Sequence, residues 1–212
     1  MATRSKRWAE AEEALALPYR PGVAGPCLAI AEKKEDAYVY TGKGNTVAVI
    51  SDGSAVLGLG NIGPDAGMPV MEGTALLFNE FAGINAIPLC VNTHDVDELF
   101  KFLQLTEPSF CGINLEDISA PRCFEIETRL RKELDIPVFH DDQHGTAIVV
   151  SAGILNALRL VNKTIGTARF VINGAGSAGI SIARLLMEIG AKHITMVDRL
   201  GSLCDGEEWL NP

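Results

Sequence analysis

The feature that most constrains the fold is a glycine-rich run, Gly-Ala-Gly-Ser-Ala-Gly, at residues 174–179. It directly follows a short apolar segment and precedes an apolar segment with helical spacing. A strand, a tight glycine turn and a helix in this order are typical of a dinucleotide-binding unit. In such a unit, Gly174 would form the turn, Gly176 would let the backbone approach a pyrophosphate, and Gly179 would let the helix pack closely on the strand. A sharp turn in an unrelated α/β fold is the alternative.

The candidate cofactor-binding residues extend along this turn and include one acid beyond it. They are Gly174, Ala175, Gly176, Ser177, Ala178, Gly179 and Asp198. Asp198 follows the next predicted strand, and a carboxylate there can accept a hydrogen bond from a ribose 2′-hydroxyl, which favours NAD. Arg199 beside it could bind a 2′-phosphate, so NADP is an alternative cofactor. Asp198 could also be an ordinary turn residue.

Short apolar runs alternate with segments of helical spacing, a pattern typical of an α/β protein. We predict strands at residues 46–51, 86–91, 111–115, 169–173 and 193–197. We predict helices at residues 68–81, 96–105, 121–134 and 146–161. Asp95 should cap the second helix, and the fourth helix is so apolar that we expect it to be buried on most sides. A boundary near Gly145 would separate an α/β domain at 1–145 from the start of a Rossmann-type domain at 146–212.

The composition excludes several functional classes. A net charge of −9 argues against nucleic-acid binding, which needs a basic face. No apolar run reaches the roughly 18 residues of a membrane span, and residues 1–13 lack the apolar core of a secretion signal. The five cysteines, at positions 27, 90, 111, 123 and 204, form no Cys-x-x-Cys pair and should be small buried hydrophobic residues. We therefore predict a cytoplasmic protein without a membrane partner.

Two pairs of adjacent acids follow apolar segments that read as strands. Glu116 and Asp117 follow residues 112–115, and Asp141 and Asp142 come shortly after residues 136–139. Paired acids at the ends of two buried strands are costly unless a cation lies between them. A hard divalent ion with oxygen ligands, Mg²⁺ or Mn²⁺, would meet that need. Solvated acids in surface turns are the alternative.

Two histidines flank the second pair of acids. His140 and His144 are four residues apart and could bind zinc if they lay on a helix. Gly145 and the paired aspartates instead favour a turn. We therefore predict that both histidines are structural or support neighbouring groups.

Four longer blocks closely resemble those of malic enzymes. Residues 138–147, VFHDDQHGTA, resemble the family's metal-binding signature, and residues 112–124, GINLEDISAPRCF, resemble its first ligand segment. Residues 51–63, SDGSAVLGLGNIG, and residues 19–24, YRPGVA, match further blocks in family order. The resemblance extends over residues 17–201 and is greatest to the short bacterial or archaeal form.

The resemblance implies oxidation of malate at C2 with NAD or NADP, followed by loss of CO₂ to give pyruvate. It implies that Glu116, Asp117 and Asp142 hold Mg²⁺ or Mn²⁺. Tyr19 matches the tyrosine that protonates C3 of enolpyruvate, and Asp141 matches an acid that tunes proton transfer beside the metal. The expected partners are malate, oxaloacetate and pyruvate, together with a second copy of the chain in a homodimer.

The sequence also departs from the family pattern. Thr74 stands where family members carry the lysine that takes the proton of the C2 hydroxyl, and a threonine hydroxyl is too weak a base for that step. Arg20 stands where a small hydroxyl residue usually follows the tyrosine. Two strands are fewer than a dinucleotide domain needs, and the family's later asparagine-bearing segment is not found. We therefore expect a fragment of a longer product.

Three functions are consistent with these patterns. The first is oxidative decarboxylation of malate, impaired here by Thr74. The second is a catalytically silent paralogue or fragment that binds metal or nucleotide, or that dimerises. The third is a dehydrogenase of amino acids, which shares the two-domain plan but does not explain the two pairs of acids.

Overall fold

The computed structural model describes residue 16 and residues 18–203, so Cys204 and the first residues of the chain lie outside this part. Two sheets follow each other along the described chain, with helices packed on them. The mixed α/β class predicted from the sequence is confirmed. No described helix is both long and apolar enough to cross a lipid bilayer.

The helices and strands alternate along most of the chain. The helices are α1 Ala24–Glu32, α2 Ala37–Tyr40, α3 Gly63–Ala82, α4 Val96–Thr106, α5 Arg122–Glu133, α6 Thr146–Leu160 and α7 Ser177–Glu188. The strands are β1 Thr46–Ser51, β2 Asn85–Cys90, β3 Gly112–Leu115, β4 Val138–His140, β5 Arg169–Asn173, β6 His193–Asp198 and β7 Gly201–Ser202. A π-helical turn, Asp141–Gly145, leads directly into α6.

The first sheet has four parallel strands in the spatial order β2-β1-β3-β4. Successive side chains of a strand point to opposite faces. Accordingly, Ile50 lies in the core formed with α4 and α5, whereas its neighbour Val49 packs against α3. Helix α3 covers β1 and β2, so the same face remains open over β3 and β4.

The register of the first sheet brings the ends of three strands together. Ile50 pairs with Leu115, and Leu115 pairs with His140. Because the strands are parallel, the residues that follow them meet at one edge of the sheet. Ser51, Glu116 and Asp141 all lie at this edge, where open α/β sheets place their ligands.

The second sheet contains β5, β6 and β7 in that order. β5 and β6 are parallel and are joined through α7, which is the strand–turn–helix unit predicted from the glycine run. β7 pairs antiparallel with β6 through a tight turn. This short strand was not predicted, because Gly201–Ser202 has no apolar pattern.

Most predicted elements agree with the structure. The five predicted strands match β1, β2, β3, β5 and β6 to within one residue at each end. Three predicted helices match α4, α5 and α6 equally closely. Asp95 caps α4 as expected, since its Oδ1 accepts a hydrogen bond of 2.9 Å from the Glu98 N–H.

Four structural predictions were wrong. Helix α3 begins at Gly63 rather than at residue 68, because Pro64 is favourable in a first turn, where its missing N–H costs nothing. Residues 141–145 form a π-helical turn continuous with α6, not a separate turn. Helix α6 is largely exposed, with only Ala147 and Ser151 buried, because α7 packs against one side of it and leaves the other apolar side chains uncovered in the described part of the chain. Among the four described cysteines only Cys123 is buried.

Candidate active site

The three predicted metal ligands converge at the edge of the first sheet. Glu116 and Asp117 directly follow β3, and Asp142 lies in the π-helical turn after β4. One carboxylate oxygen from each residue lies within 4.8 Å of the other two. Glu116 and Asp117 are buried, and Asp142 is half-buried.

Hydrogen bonds from within the cluster fix its geometry. The Asp117 N–H donates to Asp142 Oδ2 at 3.1 Å, and Asn114 Nδ2 donates to Glu116 Oε1 at 3.0 Å. Asn114 reaches Glu116 because residues two apart on a strand share a face. Asp117 has a φ of 52°, a left-handed backbone conformation that non-glycine residues rarely adopt.

Burial and mutual repulsion disfavour the ionised forms of these acids. Burial, then Asp141, raises the pKa of Glu116 to about 8, although the bond from Asn114 lowers it. Burial and then Asp142 raise the pKa of Asp117 to about 6. Burial also raises the pKa of Asp141 and of Asp142. Ionised together, these groups need a compensating charge.

The donor set fits a hard divalent cation. Within residues 18–203, no lysine, arginine or histidine forms an ion pair with Glu116, Asp117, Asp141 or Asp142. Asp117 Oδ2 is buried and has no hydrogen-bond partner. The cluster offers only oxygen atoms, which Mg²⁺ and Mn²⁺ prefer over the nitrogen and sulfur ligands typical of zinc.

The side chain of Glu127, in α5, stabilises the π-helical turn that contains the second pair of acids. It is almost fully buried, and it contacts His144 Nε2 at 2.7 Å and accepts from Gln143 Nε2 at 3.2 Å. Gly145 leaves room for a neighbouring acid, because a Cβ there would lie 2.1 Å from Asp141 Oδ1. The turn is thus held on one side by α5 and folded closely around Asp141 on the other.

The two histidines have different surroundings. His144 forms the contact with Glu127, which gives it a structural role. His140 is fully buried, and neither ring nitrogen has a hydrogen-bond partner among the described residues. Burial lowers the pKa of His140, so its ring is neutral at pH 7.

A second polar network lies at the end of β1, around the fully buried Asp52. Asp52 accepts hydrogen bonds from the Ser54 N–H at 3.0 Å and the Ser54 hydroxyl at 2.5 Å. Its other oxygen contacts Arg122 at 2.9 Å and His94 Nδ1 at 3.1 Å. Burial raises the pKa of Asp52, but these hydrogen bonds outweigh burial and lower it overall.

A cleft of about 600 Å³ opens along the uncovered face of the first sheet. Its walls are mostly apolar and come from α3, β1, β3 and β4. Thr74, Glu116 and Asp141 also line it. The structure thus places Thr74, the position of the expected base, in the same cleft as two of the clustered acids.

Tyr19 is not part of this cluster in the structure. Its side chain is 65% exposed, and the Arg20 guanidinium lies 5.9 Å from the centre of its ring. Within residues 18–203, no hydrogen bond or ion pair joins Tyr19 to the acids. Its catalytic assignment therefore stays a prediction.

The glycine turn has the geometry of a close strand–helix approach. Gly174 has a φ of 115°, and a Cβ at Gly179 would lie 2.0 Å from the Gly174 carbonyl oxygen. Gly176 precedes the first residue of α7 and faces open space. Asp198 ends β6, is exposed, and accepts a hydrogen bond of 2.7 Å from the Arg199 N–H.

Several residues at the site were not found from the sequence. They are Asp52, Ser54, Asn114, Arg122 and Glu127. Asn114 had a usable signal, because it lies two residues before Glu116 on one strand. The Ser-Asp-Gly-Ser run at residues 51–54 also has the composition of a side-chain-capped turn. The contacts of Arg122 and Glu127 are made across the fold and leave no local pattern.

Comparison with protein-family models decides the family. Residues 3–96 and 91–131 match the model described as the malic enzyme N-terminal domain. Residues 143–212 match the model described as the malic enzyme NAD binding domain. The chain belongs to the malic enzyme family.

Individual malic enzymes match nearly all of this chain. The NAD-dependent malic enzyme of Geobacillus stearothermophilus is 55% identical over 210 residues, which are 99% of this chain and 44% of that protein. The NADP-dependent malic enzyme of Haemophilus influenzae is 54% identical over 196 residues, or 92% of this chain and 26% of that protein. The solved NAD-dependent malic enzyme of Thermotoga maritima superposes with a TM-score of 0.92 at 51% identity, covering 97% of this chain and 55% of that one. This chain therefore spans about half or less of the length of these malic enzymes.

Proposed function

We propose that this chain contributes the metal- and substrate-binding part of a malic enzyme, which converts malate to pyruvate and CO₂ with NAD or NADP. The observation that supports this most directly is the convergence of Glu116, Asp117 and Asp142. Both curated relatives are named as malic enzymes, one with NAD and one with NADP.

In this proposal Glu116, Asp117 and Asp142 hold Mg²⁺ or Mn²⁺. Such an ion would supply Lewis-acid chemistry to a bound substrate. The protein keeps Glu116 in place with the Asn114 amide, and it keeps Asp142 in place with the Asp117 N–H. The cleft that contains Glu116 and Asp141 is the proposed binding place of malate.

Two residues are proposed to move protons. Asp141 lines the cleft, and its raised pKa lets it exchange a proton closer to neutral pH than an ordinary aspartate does. The Tyr19 hydroxyl is proposed to donate a proton to C3 of enolpyruvate, by resemblance to the family. Because no hydrogen bond or ion pair joins Tyr19 to the acids among the described residues, that step requires the tyrosine to approach the cleft.

Thr74 cannot perform the role of the family lysine. Thr74 lines the cleft, and its hydroxyl can donate or accept a hydrogen bond, but a hydroxyl is not basic near neutral pH. Removal of the proton from the C2 hydroxyl of malate should therefore be slow. Decarboxylation of oxaloacetate should be affected less, because it begins from a ketone and needs no such base.

The nucleotide is proposed to bind at the second sheet, on the turn from Gly174 to Gly179. The open face at Gly176 and the start of α7 at Ser177 leave backbone N–H groups free to approach a pyrophosphate. Bound NAD(P) would serve as the acceptor of the hydride from malate. The Asp198 carboxylate would accept a hydrogen bond from the ribose 2′-hydroxyl of NAD, which favours NAD. The Arg199 side chain could bind the 2′-phosphate of NADP.

A catalytically silent protein that binds metal or dimerises is the second candidate function. The observation that favours it is Thr74 in the cleft. The cytoplasmic location, the homodimer and the domain boundary near Gly145 stay predictions.

The test of the proposed function is a titration of the 212-residue chain with Mn²⁺, followed by electron paramagnetic resonance of the free ion. We expect one saturable site, which Asp142→Ala abolishes. Asp135→Ala is the matched control, because Asp135 is exposed and its carboxylate makes no described contact. Equal Mn²⁺ binding by the chain and by Asp142→Ala would exclude the assigned ligands.

Production of NAD(P)H from malate separates the two candidate functions when residues 1–203 are joined to the C-terminal part of the Geobacillus stearothermophilus malic enzyme. Turnover by this Mn²⁺-loaded chimaera supports the enzyme. Metal binding without turnover of malate or oxaloacetate supports the silent protein.

A further inference from the structure

We propose that Ser54 is a positioning residue of the metal site, whose hydroxyl holds the backbone that presents Asp117. This inference rests on the proposed function, since it takes Asp117 as a metal ligand. It adds a residue that itself contacts neither metal nor substrate.

The Ser54 hydroxyl uses its complete hydrogen-bonding capacity. It donates to Asp52 Oδ1 at 2.5 Å, and it accepts from the Ser119 N–H at 2.9 Å and from an Arg122 guanidinium N–H at 3.0 Å. A hydroxyl has one donor and two acceptor positions, so all three are occupied. Ser54 is 8% exposed, and water has little access to replace a bond that is lost.

The same short segment holds the Asp117 loop at a second point. The Ala55 N–H donates to the Asp117 carbonyl at 2.9 Å, while the Ser119 N–H donates to Ser54. The two hydrogen bonds therefore lie on either side of Ile118. Asp117 itself has a φ of 52°, and a non-glycine residue keeps such a conformation only when its surroundings impose it.

Asp52 and Arg122 anchor Ser54 in turn. Asp52 is fully buried and holds the Ser54 hydroxyl, and Arg122 at the start of α5 contacts Asp52, Ser54 and the Ser119 hydroxyl within 3.0 Å. The loop after β1, the loop after β3 and the start of α5 thus meet at one hydroxyl group. Mutation of a residue that orients metal ligands without binding the metal typically lowers the metal affinity by about 10- to 100-fold.

The role of Ser54 can be separated from a general contribution to folding. The hydroxyl of Ser54 is polar, so removing it takes no apolar atom from either hydrophobic core of the first sheet. The expected consequence is a less ordered Asp117 and not an unfolded chain.

The test measures the Mn²⁺ affinity of the 212-residue chain and of its Ser54→Ala and Ser54→Thr variants. We expect Ser54→Ala to weaken binding by about 10- to 100-fold and to alter the zero-field splitting of bound Mn²⁺ in the electron paramagnetic resonance spectrum. Ser54→Thr keeps the hydroxyl and should recover most of the affinity. Ser109→Ala is the control, since Ser109 is exposed and outside the network.

The outcomes separate this inference from the proposed function. If the unmodified chain binds Mn²⁺ and Ser54→Ala binds it equally tightly, the role of Ser54 is overturned and the proposed function stands. If the unmodified chain binds no Mn²⁺, both are overturned. Should Ser54→Ala fail to fold by circular dichroism, Ser54→Cys decides, because its thiol is a much weaker hydrogen-bond donor and acceptor than the hydroxyl. Unchanged affinity in Ser54→Cys overturns the inference.

Discussion

Thr74 is the single residue with the largest expected effect on chemistry. General-base assistance is typically worth about 10²- to 10⁴-fold in rate. We therefore expect Thr74→Lys to raise malate oxidation by at least about 100-fold. The measurement uses a chimaera in which residues 1–203 precede the C-terminal part of the Geobacillus stearothermophilus malic enzyme. Malate-dependent NADH formation is compared between the chimaera and its Thr74→Lys variant.

Metal binding and oxaloacetate decarboxylation serve as controls for this substitution. Both should change little, because neither depends on a base at position 74. A chimaera that already oxidises malate at tens per second with Thr74 in place, an ordinary enzyme rate, would show that another group acts as the base.

The two kinds of site residue differ in how far sequence predicts them. Glu116, Asp117, Asp141 and Asp142 could be found because paired acids after apolar strands are unusual and local. Ser54 could not be found in the same way, because its partners lie 65 and 68 positions further along the chain. Only the fold brings these loops together, and a serine is otherwise an ordinary turn residue.

At the scale of secondary-structure elements, the strand–turn–helix unit depends on close approach at Gly179. An added Cβ would meet the Gly174 carbonyl at 2.0 Å, so we expect Gly179→Ala to destabilise the chain by about 1–3 kcal/mol. Gly153 is the matched control within a helix, because a Cβ there meets nothing within 4 Å. Gly153→Ala should instead stabilise the chain by about 0.5–1 kcal/mol.

Thermal unfolding followed by circular dichroism measures both substitutions. Opposite shifts of Tm are expected for the two alanines. If Gly179→Ala unfolds at the temperature of the unmodified chain, then α7 can shift away from β5, and close packing is not the reason for this glycine.

Helix α6 shows what periodicity predicts for an element and what it does not. Its apolar composition predicted the helix to within one residue, but burial on most sides was wrong. Periodicity reports the backbone conformation, whereas burial depends on which other surfaces are present. The π-helical turn before α6 was missed for a related reason, since the contacts of Glu127 with Gln143 and His144 join segments 16 and 17 positions apart.

At the scale of the whole molecule, the clustered acids make stability depend on pH. The pKa of Glu116 is about 8 in the folded chain against an ordinary 4.5, so the folded chain binds more protons than the unfolded chain between these values. Stability therefore falls as pH rises through this window. From pH 6.5 to 8.5 we expect the metal-free chain to lose about 2 kcal/mol, or about 4–8 °C in Tm.

The comparison that checks this prediction is Glu116→Gln, which should flatten the dependence on pH. The lower limit of 6.5 excludes most of the contribution of His140. Burial lowers the pKa of that ring, so its contribution makes stability rise with pH, mainly below the ordinary histidine value of 6.5. Saturating Mn²⁺ should raise Tm more at pH 8.5 than at pH 6.5, because metal ligation requires ionised carboxylates. An equal effect of Mn²⁺ at both pH values would contradict the assignment of Glu116.

The continuity of the π-helical turn with α6 has a mechanical consequence. Glu116 and Asp117 directly follow a strand of the first sheet, whereas Asp142 lies in a helical turn that is continuous with α6. Helix α6 in turn packs against α7, the helix that follows the glycine turn. Tilting α6 would change the separation of the three carboxylates. An ion bound to all three carboxylates would therefore oppose a change in the orientation of α6. Because such coupling is reciprocal, a nucleotide that stabilised the same orientation of α6 would raise the affinity of the site for the ion.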